Sequence, residues 1–203
     1  MKVNAEKSFI CTHEIEYLGN SLTRGGIKLQ PKKVQAIRVI NPPNTVKELR
    51  HFLGMVQYYH DMWVKRSEML APLSDLVGEC GETKTTRKNK IKKRSRHWGS
   101  IHQTAFDNVK TTIAKEVVLA YLDFSKPFDI YTDASTKQLG AVITQENRPI
   151  VFFSRKLSGA QSKYTVTKLE LLAILETLKE FNGMLWGQRI NVYTDHKISH
   201  ETV

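Results

Sequence analysis

Hydrophobic and polar positions change period several times along the chain, and each change marks an element. Residues 8–30 hold short apolar runs, Phe9-Ile10-Cys11, Ile15-Glu16-Tyr17-Leu18 and Ile27-Lys28-Leu29, around a Gly25-Gly26 turn, which is the pattern of a small hairpin. Pro31 opens a helix at little cost, because a first turn leaves that N–H unpaired anyway, and Val34, Ile37 and Ile40 share one side of it until Pro42-Pro43. Thr45 and Glu48 have capping-box spacing at the head of a second helix running to about Tyr59, with Leu49, Phe52, Leu53 and Val56 as its apolar face.

The pattern lapses over residues 79–97, where one aliphatic residue stands among many like charges. Such a stretch buries too little to offset its ordering entropy and is expected to be a basic flexible linker. Periodicity resumes at Trp98 with Ile101, Ala105, Phe106, Val109 and Ile113 at helical spacing, followed by an extended apolar run over 117–122. Strand-like runs at 128–133, 140–145 and 150–155 precede an apolar helix from about 166 to 184 and a last strand at 190–194. This β-β-β-α-β order predicts an α/β (α+β) fold, with three antiparallel strands and a fourth joined in parallel to the first through a crossover helix. The expected organisation is a helical region over 1–78, the linker over 79–97 and the mixed-sheet domain over 98–203.

Charge sharpens the choice of partner. The 203 residues carry a formal net charge of +11, which favours a polyanion whose counterions Lys and Arg displace. A 40% hydrophobic content is enough for a core. No run reaches the roughly 18 apolar residues of a membrane span, and no apolar signal core follows Met1. Cys11 and Cys80 have neither metal spacing nor a disulfide framework and read as reduced thiols. The expectation is an intracellular protein, cytoplasmic or nuclear, with no membrane partner.

Candidate chemistry lies where three acids meet element ends. Asp133 and Asp195 each close a strand-like run, and Glu170 heads the apolar helix; on the predicted sheet all three come to one end. Carboxylates gathered there repel unless a cation neutralises them, and a pair of Mg2+ ions about 4 Å apart, with Mn2+ as the alternative, suits oxygen donors. Plainer readings exist for each: Glu170 stands three after Thr167, at capping-box spacing, and Asp133 with Ser135 or Asp195 before His196 can form turns. His196 is a poor ligand for a hard cation. Arg50, Gly54 and Tyr58 recur at i, i+4 and i+8 on the second helix, a nucleic-acid track or a solvated face with a tolerated glycine. Ser154, Arg155 and Lys156, at a strand end, and Gln138, in a turn, are further candidates for backbone contact or for solvent.

These residues also carry a resemblance. Tyr131-Thr-Asp-Ala-Ser, Leu139-Gly-Ala-Val-Ile, Phe153-Ser-Arg-Lys-Leu, Leu169-Glu-Leu-Leu-Ala-Ile and Val192-Tyr-Thr-Asp-His resemble the RNase H domain of gypsy-type LTR retrotransposon polyproteins. Tyr17-Leu-Gly, Pro31-Lys-Lys-Val-Gln-Ala-Ile, Lys47-Glu-Leu-Arg-His-Phe-Leu-Gly-Met, Tyr58-Tyr-His-Asp-Met-Trp and Ala71-Pro-Leu-Ser-Asp-Leu are similar to the end of the palm and the thumb of the same reverse transcriptase. The resemblance implies that Asp133, Glu170 and Asp195 bind two metal ions and hydrolyse the RNA strand of an RNA–DNA hybrid, one ion activating water and the other stabilising the leaving oxygen. It implies that Arg50, Gly54 and Tyr58 follow a minor groove and that the rest of a Pol polyprotein is a partner, with Arg155 and Lys156 as candidates for contact with the hybrid backbone. Two departures stand out: the paired aspartates of the polymerase site are absent, and neither the later helix that carries the family's fourth carboxylate nor its fifth strand is present. The expectation is therefore a truncated RNase H-like domain with weak or lost cleavage. The rival is a non-catalytic nucleic-acid-binding relic.

Overall fold

The computed structural model describes residues 11–79, 98–115 and 117–194. Of the segment expected to be a linker, Glu79 ends a helix and residues 80–97 lie outside the described residues, as do Asp195 and His196. The chain opens with an antiparallel meander, β1 (Glu14–Tyr17), β2 (Asn20–Thr23) and β3 (Gly26–Leu29). The middle strand, Asn-Ser-Leu-Thr, is too polar to announce itself by hydrophobicity. It is defined by the Leu18-Gly19 turn, where both residues take positive φ, and by its partners on either side.

Helices α1 (Pro31–Arg38), α2 (Val46–Gln57) and α3 (Arg66–Glu79) follow. At the head of α2 the Glu48 amide donates to Thr45 Oγ1 at 3.1 Å, and the Glu48 carboxylate accepts from the Asn44 amide at 2.7 Å. The capping residues thus act as their spacing predicts, shifted by one position on the return bond. Leu49, Phe52 and Val56 are buried and Leu53 partly so, which matches the expected face.

Helix α4 (Ser100–Ile113) enters this same core: Phe106 stacks at a tilt on Phe52 with centroids 4.7 Å apart, and Val109 and Ile113 lie among Leu49, Val56 and Leu73. The sequence groups α4 with the sheet that follows, whereas packing builds it into the helical unit. Ile101, expected on its apolar stripe, is exposed. In the following extended run Leu119 forms a two-bond bridge to Ile27 of β3 at 2.8 Å each way, and the Ala120 amide donates to the Pro149 carbonyl at 2.6 Å.

The second core is a four-stranded sheet in the order β6-β5-β4-β7, formed by β4 (Phe128–Ala134), β5 (Gln138–Gln145), β6 (Arg148–Lys156) and β7 (Ile190–Thr194). Pairings β4–β5 and β5–β6 are antiparallel and β4–β7 is parallel, which is the predicted topology. Helix α5 (Val166–Glu180) makes the crossover, and a short α6 (Asn182–Leu185) follows after Phe181. Phe128, Ile130, Leu139 and Ile143 point at Leu169 and Ala173 of α5. Strand alternation sends the intervening residues to the opposite face. There Phe152 packs against the helical unit, and Tyr131 stacks on its register partner Tyr193 at 4.7 Å.

Polar contacts tie the two units together. The Arg66 guanidinium donates to the Ser154 carbonyl, the Ser67 amide to Ser154 Oγ, and the Glu68 amide to Gln138 Oε1, at 2.8 to 2.9 Å. Lys156 pairs with Asp75 of α3, Tyr121 donates to the Thr23 carbonyl, and Arg148 donates to the Gly25 carbonyl. Burial between the units pushes the Asp61 carboxyl up and the Arg66 guanidinium down from their ordinary values.

Candidate active site

Asp133 occupies the next-to-last position of β4, opposite Gly140 of β5. Its side chain leaves the face opposite Thr132 and Ile130 and is 65% exposed. The turn beyond it is fixed by Ser135, whose amide donates to the Gln138 carbonyl at 2.9 Å and whose hydroxyl accepts from the Gln138 amide at 3.1 Å. The Lys65 ammonium, from the loop before α3, lies 3.8 Å from Asp133 Oδ2.

Glu170 is 1% exposed, on α5. Thr165 is the N-cap of that helix and Thr167 lies inside it, so Glu170 does not complete a capping box. Its Oε2 instead accepts a bond from Thr194 Oγ1 at 3.0 Å. Thr194 ends β7 and is the parallel register partner of Thr132, the residue before Asp133. Glu170 and Asp133 therefore come to the same end of the β4–β7 pair, Glu170 from the helix-covered face and Asp133 from the other. Asp195 follows Thr194 directly in sequence but lies outside the described residues.

Among the described residues no three His, Cys, Asp or Glu side chains form a metal-binding group. The donors present nevertheless fit a hard divalent ion. All are carboxylate oxygens, one is almost fully buried, and the other has already drawn an ammonium group to its edge.

The remaining candidates divide. Arg50 and Gly54 are exposed on α2, and a Cβ built at Gly54 meets nothing within 4 Å, so that face is open to close approach. Tyr58 is 58% exposed and is held by its hydroxyl, which donates to the Leu18 carbonyl at 2.6 Å. Arg155 is committed to Glu176 at 2.5 Å and to Gln161 at 3.0 Å, and Lys156 to Asp75 at 2.5 Å. Ser154, expected at a hybrid backbone or a solvated strand end, and Gln138, expected as a turn residue or a hybrid contact, are buried at 4% and hold the first turn of α3, while Gln138 also closes the turn with Ser135. Sequence reasoning missed this use because the bonded residues stand 70 to 88 positions apart. It likewise missed Lys65, which no motif marks, and gave no role to Thr194, which stands inside the Val192-Tyr-Thr-Asp-His run.

Residues 98–192 match the family described as the RNase H-like domain found in reverse transcriptase. The chain is 37% identical over 199 residues to the retrovirus-related Pol polyprotein from transposon gypsy of Drosophila melanogaster, covering 97% of this chain and 19% of that polyprotein. It is 36% identical over 206 residues to the Pol polyprotein from transposon opus of the same fly, at 97% and 20% coverage. The chain thus spans about a fifth of the length of these relatives. Among solved structures, the foamy viral protease-reverse transcriptase in complex with RNA/DNA hybrid superposes with a TM-score of 0.80 at 23% identity, covering 93% of this chain and 25% of that one. The same protein in complex with dsDNA gives 0.81, also at 23% identity, covering 95% and 38%. At that identity the likeness is one of fold. Residues 98–192 thus match the RNase H-like domain found in reverse transcriptase, and the chain as a whole is similar to a stretch of the gypsy-type retrotransposon Pol polyproteins.

Proposed function

We propose that this chain carries the nuclease module of a reverse transcriptase, hydrolysing the RNA strand of an RNA–DNA hybrid with Asp133, Glu170 and Asp195 as the ligands of Mg2+ or Mn2+. The observation that carries the reading is Glu170, a carboxylate buried to 1% and held by Thr194 at the strand end beside Asp133. A divalent cation bound there supplies Lewis-acid activation of water and neutralises charge on the phosphate. The chain's own part is to hold its carboxylates at fixed positions: Thr194 orients Glu170, and the Ser135–Gln138 turn fixes the backbone after Asp133. In the reaction water adds to phosphorus and the 3′-oxygen leaves, giving a 5′-phosphate and a 3′-hydroxyl.

The open face of α2 supports a duplex contact through Arg50, Gly54 and Tyr58. Arg155 and Lys156 reach a phosphate backbone only by exchanging Glu176 and Asp75 for it. Cleavage by the isolated chain is proposed to be slow, since Asp133 is paired with Lys65. Incubating the purified chain with an end-labelled hybrid and either ion tests the reading. The expected result is metal-dependent cleavage of the RNA strand, lost in Asp133→Asn and in Glu170→Gln. Salt-dependent hybrid binding with no cleavage under any ion would replace it with the non-catalytic binding module, which the exposed α2 face and the net charge of +11 favour.

A further inference from the structure

The geometry points to Lys65 as a built-in counter-cation that occupies the Asp133 carboxylate and must be displaced before a divalent ion binds, an inference that rests on Asp133 being a metal ligand. Lys65 immediately precedes α3, and its carbonyl accepts the Met69 amide at 3.2 Å, so it stands at the N-cap position. Lysine is a poor choice there. Its side chain cannot accept the bonds that first-turn amides offer, and its φ of +53° is left-handed, where Cβ crowds the backbone.

The acceptors come from the other unit. Ser154 Oγ takes the Ser67 amide and Gln138 Oε1 takes the Glu68 amide, both at 2.9 Å. The residues directly after Lys65 are thereby anchored on β5 and β6. Gln138 also bonds Ser135 in the turn after Asp133, so one buried residue fixes the backbones that carry both Lys65 and Asp133. The ammonium consequently sits 3.8 Å from Asp133 Oδ2, at the mouth of a cavity of about 170 Å³ lined by Val64, Lys65, Tyr131, Asp133 and Val142. Both side chains are mostly exposed, at 61% and 65%, so the lysine can swing away without unfolding anything.

An exposed pair of this kind competes weakly, and its ammonium also repels an incoming dication. Removing it is expected to tighten ion binding about three- to tenfold. The test is Mn2+ affinity of the full chain without nucleic acid, by calorimetry, for the wild type, Lys65→Met, Lys65→Arg and Asp133→Asn. Lys65→Met keeps an unbranched stem and the backbone strain while removing the charge. Tighter binding by Lys65→Met, wild-type binding by Lys65→Arg and loss in Asp133→Asn are expected. Unchanged or weaker binding by Lys65→Met, with Asp133→Asn still impaired, overturns the counter-cation and leaves the metal site standing. Indifference of Mn2+ binding to Asp133→Asn removes both.

Discussion

Substituting Gln138 by Ala separates the cap on α3 from everything else that joins the two units. The Oε1 atom of Gln138 accepts the Glu68 amide at 2.9 Å and the Ser154 hydroxyl at 3.1 Å, in a side chain 4% exposed. Truncation leaves a first-turn amide without its acceptor, a loss worth about 0.5 to 2 kcal/mol for helix caps. It also leaves the Ser154 hydroxyl without one of its partners, at about 1 kcal/mol. The sum is about 2 kcal/mol, or a fall in Tm of roughly 4 to 8 °C for a chain of this length. Urea unfolding measures the total, and amide exchange at Ser67 and Glu68 localises it. Those amides are expected to exchange faster, while Ile130 and Ile143, in the sheet core, keep their protection. Ser154→Ala added to Gln138→Ala is expected to cost less than the sum of the two, because both remove one network. A loss below about 0.5 kcal/mol with unchanged exchange at Glu68 would refute the reasoning, since water would then be satisfying the helix end.

Two further substitutions probe the join elsewhere. Gly26 has φ +142°, and a Cβ there falls 2.1 Å from the Leu119 carbonyl oxygen, so Gly26→Ala is expected to break the Ile27–Leu119 bridge at a cost of about 3 kcal/mol or more, read by chemical denaturation. Asp61 concerns pH. Burial raises its folded pKa above the ordinary 3.8, so the folded state holds the proton more tightly than the unfolded chain. Its contribution to stability is present below 3.8 and is lost as pH rises from there through the raised value. The stability of the wild type relative to Asp61→Asn is therefore expected to fall across that window, as measured by denaturation at several pH values.

The fold was largely legible where period and partner are local. Alternation at 128–133 and 140–145, the Thr45–Glu48 box and the Val166–Glu180 helix all report short-range geometry, and the parallel crossover follows from the order of the elements. Three features were hidden for physical reasons. Strand β2 has Leu22 as its one apolar residue, α4 packs with helices from which the basic segment separates it in sequence, and α3 owes its first turn to acceptors on β5 and β6. For the candidate site, residue type could nominate members but not their sidedness. Charge repulsion and element ends pick out Asp133 and Glu170. Only the register shows them reaching the strand end from opposite faces, with Thr194 holding one and Lys65 the other. Arg155 and Lys156 show the converse: a strand-end cation reads as free for phosphate until Glu176 and Asp75 are seen to hold it.

The central claim is that Asp133 and Glu170 share a divalent ion at the end of the β4–β7 pair. Anomalous diffraction from a crystal of the chain soaked in Mn2+ tests it most directly. The account predicts a peak at about 2.2 Å from carboxylate oxygens of both residues, with the Lys65 ammonium moved off Asp133. A saturated crystal with no peak between them, and Lys65 still against Asp133, would contradict it.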